Sequence, residues 1–323
     1  MRLPMITSTG FTMALLAFVV TPACAQYPDR AVRMIIPFAA GSATDISARL
    51  YAVELSRQMG QQFVPDNRAG AGGAIGMQAL VKAVPDGYTI AYAGSGPLTI
   101  NRSITPNLPY DVEKEVQAIS QAVSAPLFLA ISPTLPVRTV KQLIALAKTK
   151  PGQLANGSSG TGTVGHLAGE YFKMLSETQI LHVPYKGGAQ AATDVMSGFV
   201  QLLFDPATSV APYIRSGRLR GLAVTGARRT KAFPDLATIA EAGVPGYEVT
   251  TWGGIIAPVG VPRAIVSRLS EEVQKAAKSA VVTERYEAVG ADPVSSTPEE
   301  FTAYIRQEFI KWAKIVKRAG IKL

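Results

Sequence analysis

Short apolar runs alternate with amphipathic stretches along nearly the whole chain, and small-residue turns rich in glycine join many of them. Ala31 to Phe38 reads as a buried strand that breaks at Ala39-Ala40-Gly41. A helix follows, with Ile46, Leu50, Val53 and Leu55 at helical spacing and a stop at Gly60. Phe63-Val64 is a short strand, and the turn from Arg68 to Gly76 leads into a helix ending near Val84. Tyr88 to Tyr92 is the next strand. Helix period and strand period taking turns in this way predict parallel α/β layers.

A second set of the same kind starts with the strand Pro126 to Ile131. Thr139-x-x-Gln142 is a capping box that opens a helix ending at Lys150-Pro151-Gly152. Gln153 to Asn156 reads as a strand, 164–175 as a helix, Ile180 to Tyr185 as a strand and 189–197 as a helix. Two more strands are expected at 201–205 and 221–225, and a returning strand at Val249 to Ala257. Helices at 265–279 and 297–319 finish the chain, the latter opened by the capping box Thr297-Pro298-Glu299-Glu300. The reading is two α/β lobes, crossed near 120–128 and again near 248–255. Two crossings made of strand give a hinge rather than a tether.

With 323 residues, 47% of them hydrophobic and 17% charged, the chain can bury sizeable cores. A single cysteine excludes a disulfide framework and a cysteine-based zinc site, and two histidines argue against a metal site, so neither metal nor cofactor is expected. The formal charge is +9, or +8 without Arg2, and the cations are scattered apart from Arg228-Arg229-x-Lys231 and the last helix, which speaks against nucleic acid. At the N-terminus, Arg2 precedes the apolar run Phe11 to Val20 and the small-residue pattern Ala23-Cys24-Ala25. That order reads as a secretory signal peptide over 1–25, cleaved near Ala25, with export to the periplasm.

Two loops carry the candidate chemistry. Gly41-Ser42-Ala43-Thr44-Asp45 joins a strand to a helix, with Ser42 and Asp45 at capping-box spacing. Ser158-Ser159-Gly160-Thr161-Gly162-Thr163 repeats the design in the second half. Each reads either as an ordinary capped helix start or as an anion site made of first-turn amides and the helix dipole. Gly160-x-Gly162-x-x-Gly165 matches a dinucleotide fingerprint, but no acidic residue closes the next strand, which ends at Tyr185, and no P-loop lysine is present. His166 follows in the first turn of the helix, with capping or packing as its plainer role, and His182 inside an apolar strand reads as a core residue. Ser95 and Asp205 each end a strand, where a turn or a cleft position is open to them, and Trp252 on the returning strand is open to the cleft wall, with core as its plainer role. The alternatives are an exported α/β hydrolase or transferase using a serine near 158–159 with His166, against which stands the lack of a GxSxG elbow, and a ligand-sensing receptor that feeds a signalling system.

Several segments in fixed order resemble the Bug-type (TctC-like) receptors of tripartite tricarboxylate transporters: Ile35-Ile36-Pro37-Phe38 with Gly41-x-x-x-Asp45, Asn67-Arg68-x-Gly70-Ala71-Gly72-Gly73-x-Ile75-Gly76, Pro85-Asp86-Gly87-Tyr88-Thr89, Ser159-Gly160-x-Gly162-Thr163 with His166-Leu167, Val183-Pro184-Tyr185-Lys186-Gly187, Phe204-Asp205 and Trp252-x-Gly254. The resemblance implies an α/β periplasmic binding protein of the two-lobed, Venus-flytrap (type II-like) kind without catalysis. Lobe 1 would hold 26–125 and 251–323, and lobe 2 would hold 126–250. It implies a small carboxylate in the interlobe cleft, a membrane transporter of the tripartite tricarboxylate type as partner, and a monomer. The expected ligand-binding set is Phe38, Gly41, Ser42, Ala43, Thr44, Asp45, Ser95, Ser158, Ser159, Gly160, Thr161, Gly162, Thr163, His166, Tyr185 and Asp205. Gly96-Pro97 departs from the Thr-His that the family often carries there.

Overall fold

The computed structural model describes residues 27–319, so the expected signal peptide lies outside the described residues. The first half runs β1 (Val32–Ile36), α1 (Ala43–Met59), β2 (Phe63–Asn67), α2 (Ala74–Val81), β3 (Thr89–Gly94), α3 (Asn101–Ile104) and α4 (Val112–Glu115) into the long β4 (Val116–Ile131). The second half continues α5 (Val140–Thr149), β5 (Ala155–Ser158), α6 (Val164–Ser176), β6 (Leu181–Pro184), α7 (Gly188–Ser197), β7 (Leu202–Pro206), α8 (Ala207–Arg215) and β8 (Arg220–Val224). The chain returns through β9 (Thr250–Pro258) and ends with α9 (Arg263–Ala277), α10 (Ala280–Glu287), β10 (Asp292–Pro293) and α11 (Pro298–Ala319).

The strands follow the order β2-β1-β3-β9-β4-β7-β5-β6, with β8 and β10 also on β4. β1 is parallel to β2 and β3, and β5 is parallel to β6 and β7. The expected parallel layers are therefore present, but the centre is antiparallel, because β4 and β9 run through it in opposite directions. β4 pairs with β9 from Val116↔Pro258 to Pro126↔Thr250, then with β7 from Leu127↔Pro206 onward. One strand thus belongs to both halves. Its register shifts near Ser120, Val123 and Ala130, and Pro126 offers no amide at the crossing, so the ladder is weakest where the halves meet. Thr225 ties the crossing together: its Oγ1 donates to the Val249 carbonyl at 2.6 Å and accepts from Leu127 N–H at 2.7 Å.

Helices cover both faces of the sheet, which explains the unbroken apolar run in β1. Val32, Met34 and Ile36 pack with Tyr51 and Leu55 of α1 on one face, and Ile35 packs with Met77 and Leu80 of α2 on the other. α11 bridges the halves: Phe301 and Ile305 lie in a first-half core, and Trp312 lies in the core of the second half.

Three sequence expectations are corrected. The buried face of α1 is Ala48, Tyr51, Ala52 and Leu55, while Ile46 and Leu50 are half-buried and Val53 is 64% exposed. α1 is wedged against β2, α9 and α8, and small residues let it approach them closely; Tyr51 fills the remaining depth and donates to the Ala122 carbonyl. The strand expected at 153–156 begins at Ala155 and takes in Gly157 and Ser158. α8 and α10 are not among the expected helices; Pro206 stands at the N-cap of α8 and Pro212 lies inside it.

Candidate functional site

The first loop is built around a buried carboxylate. Ser42 caps α1, its hydroxyl accepting from Asp45 N–H at 3.2 Å. Asp45, 3% exposed, accepts from Gly41 N–H at 2.9 Å, from Arg49 Nε at 2.9 Å and from Asn67 Nδ2 at 2.8 Å. Burial pushes the Asp45 carboxyl up, but the hydrogen bonds from Arg49, Asn67 and Gly41 outweigh it and hold the group below the usual carboxylate range. Asn67 also donates to the Phe38 carbonyl at 2.9 Å, so one carboxylate and one amide clamp both ends of the loop. Gly41 takes φ +78, a left-handed turn that suits glycine. The first amides of a helix lack an intrahelical acceptor. With Asp45 N–H taken by Ser42, those of Ala43 and Thr44 remain.

The second loop repeats the logic with histidines beneath it. Thr163 caps α6 through His166 N–H at 3.4 Å and donates to the Gly160 carbonyl at 2.7 Å. The amides of Val164 and Gly165 remain. His166 Nδ1 accepts from Gly162 N–H at 3.2 Å, and its ring stacks on His182 with centroids 3.8 Å apart. His182 Nε2 lies 2.7 Å from Ser158 Oγ. His182 is half-buried because β6 is the edge of the sheet, which corrects its expected core position.

Burial, then Lys173, lowers His166 to about 4; burial, then the neighbouring His166, does the same to His182. Both rings are neutral near pH 7. An imidazole with an unfolded value near 6.5 that falls to about 4 on folding takes up its proton more readily unfolded, so stability is full above about pH 7 and is lost as pH falls through 6.5 toward 4. For His166 alone the loss between pH 7.5 and pH 5 is on the order of 2 kcal/mol. Thermal melts at the two pH values check this: His166→Gln should show a markedly smaller acid shift than the parent, and an equal shift would refute it.

Both loops reach one cavity. Of the expected set, Phe38, Ser42, Ala43, Thr44, Ser95, Ser159, Thr163 and Asp205 line it. Gly160, Thr161 and Tyr185 line a neighbouring cavity that shares Phe38 and Ser159. Gly41, Asp45, Ser158, Gly162 and His166 line neither and lie behind the loops, bonded within them. Sequence reasoning missed Tyr92, Val164, Gly165, Gly188 and Thr208 in the lining. Gly188 follows the glycine turn at Gly187, and Thr208 belongs to α8, a helix the sequence reading did not include. Trp252 is both core and wall, 2% exposed, its Nε1 donating to Glu308 at 2.9 Å.

Among the described residues, no lysine, arginine or histidine lines this cavity. Its donors are backbone amides and hydroxyls. Such a wall suits an anion with several acceptor oxygens. Ser158 is 1% exposed, lies outside the cavity and has no acid behind its histidine, an arrangement poor for nucleophilic attack. Among the described residues no cluster of histidine, cysteine and acidic side chains could hold a metal.

Comparisons with known proteins follow from this geometry. The family model described as "Tripartite tricarboxylate transporter family receptor" matches residues 47–321. Protein BugT of Bordetella pertussis is 37% identical over 298 residues, 92% of this chain and 91% of that protein. Among solved structures, R. palustris Rpa4515 with adipate has a TM-score of 0.90 at 37% identity, covering 92% of this chain and all of that one (100%). MatC from Rhodopseudomonas palustris with bound malate has a TM-score of 0.86 at 26% identity, covering 90% of this chain and 100% of that one.

Proposed function

The chain belongs to the tripartite tricarboxylate transporter receptor family, whose members are periplasmic binding proteins and not enzymes, and from that membership and the cleft we propose that it captures a small carboxylate by hinge closure and delivers it to a membrane transporter of that type. The observation that carries this is the pairing of two helix starts, α1 from one half and α6 from the other, on one cavity with no cationic side chain in its wall among the described residues. A carboxylate moved out of water without partners costs several kcal/mol. Amides of Ala43 and Thr44 and of Val164 and Gly165, with the hydroxyls of Ser42 and Ser159, would supply donors from both sides.

Only the closed molecule offers both halves of that donor set. The ligand therefore has a higher affinity for the closed form, which is the condition for it to shift the hinge. We take the lobes as 26–125 with 251–323, and 126–250, and the exported form as a monomer beginning near Gln26. Adipate and malate, bound by the two relatives, make short dicarboxylates the first compounds to try.

Calorimetry with a panel of mono-, di- and tricarboxylates tests the reading. At least one should bind with a micromolar Kd or tighter. Ser159→Ala should weaken it about tenfold, as the loss of one hydrogen bond to a charged group does. Absence of binding across the panel, or parent affinity in Ser159→Ala, would count against it.

A further inference from the structure

Asp205 is the one carboxyl on the cavity wall among the described residues. It ends β7 and is 6% exposed. Its Oδ2 accepts from the Ser209 hydroxyl of α8, and both oxygens lie against Gly188 of α7, where a Cβ would come within 3.0 and 3.1 Å of them. Phe128 of β4 stands opposite it in the ladder. None of these elements turns a charged group toward it: burial alone pushes the carboxyl up to about 7, with only the Ser209 bond opposing.

A bare carboxylate buried here is poorly compensated, and a second one beside it would be worse. Two acid groups at hydrogen-bond distance hold one proton between them. The surroundings also select against an ammonium group. Three donors of an ammonium need three acceptors. Here Oδ2 is already used by Ser209 and the backbone of Gly188 lies against both oxygens, while the first-turn amides of α8 lack an intrahelical acceptor, with Thr208 on the cavity wall. An oxygen-rich group that brings or shares a proton satisfies both the acid and those amides.

Resting on the carboxylate reading above, we propose that Asp205 reads the far end of the ligand, selecting a dicarboxylate, and that the diacid is captured together with one proton held between its second carboxyl and Asp205. The first carboxylate meets the amides of α1 and α6. The proton comes from solvent, no other bond is made or broken, and the closed complex carries one negative charge fewer than its parts would.

Calorimetry at pH 8 with succinate and adipate, repeated in phosphate and Tris to read proton exchange, tests this, with hexanoate as the single-acid control and aspartate as the amine-bearing one. The parent should take up close to one proton per diacid, and its diacid affinity should fall about tenfold per pH unit between pH 8 and 9.5. Asp205→Asn should bind with no proton uptake and with affinity flat in pH. Ser209→Ala, a milder change, should shift the fall in affinity to higher pH and serves if the first variant does not fold. Diacid binding without proton uptake in the parent overturns the inference while leaving the carboxylate site standing. Aspartate binding without proton uptake, lost in Asp205→Asn, overturns it in favour of an ammonium partner. Binding of no acid at any pH removes the carboxylate site itself.

Discussion

Asp45→Ala is expected to lose at least a hundredfold in carboxylate affinity although Asp45 does not line the cavity. Its carboxylate holds Gly41 N–H, Asn67 and Arg49 in place, and Asn67 in turn holds the Phe38 carbonyl. Removing it frees the loop that aims the Ala43 and Thr44 amides, and leaves buried donors unpaired. Hydrogen bonds to a charged group contribute about 1.5–3 kcal/mol each, and part of the loss is recovered by water, so a stability loss of about 2–4 kcal/mol follows. Because the folded group sits below its ordinary range, its contribution is complete at neutral pH and disappears as pH falls into the acid range. The variant and parent should therefore melt at more similar temperatures at pH 3 than at pH 7. A melt and a titration equal to the parent at pH 7 would show that the loop stands without its clamp.

Gly165→Ala should be nearly as damaging, from the other half. A Cβ at Gly165 would fall well inside contact distance of the Phe204 carbonyl oxygen, a backbone atom of β7 that cannot swing aside. Gly169, one turn later, lies as closely against the side chain of Asn156. The helix must shift away from the sheet, at a cost of about 3 kcal/mol or more in overpacking, and its first-turn amides move with it. Urea unfolding should register the first effect and calorimetry the second, with affinity falling at least tenfold. A midpoint unchanged within error would mean that α6 and β7 have room the geometry does not show.

Gly165 also shows how much was legible in advance. Its place in a Gly-x-Gly-x-x-Gly run suggested a dinucleotide motif, and the lack of an acidic partner argued against one. What survives is the packing role of the third glycine, which brings helix and strand together whatever the ligand. The histidines went the other way. His166 was weighed as a ligand donor and His182 as core, and the structure stacks them together under the loop. Nothing in their separation of sixteen positions along the chain encodes that pairing, which depends on β6 lying beside β5.

Alternating strand and helix periods, glycine turns and cap residues are local properties, so the chain's α/β class, its two strand crossings and its two helix-start loops were decided by sequence alone. Short-range backbone preferences act over a few residues and leave that trace directly. Which face of α1 is buried, the helix that follows Pro206, the placing of Asp45 behind its loop and of Asp205 on the cavity wall were decided only when distant strands met around β4. Side-chain position relative to a cavity depends on contacts between residues far apart in the chain, and those contacts exist only once both halves have packed against the shared strand.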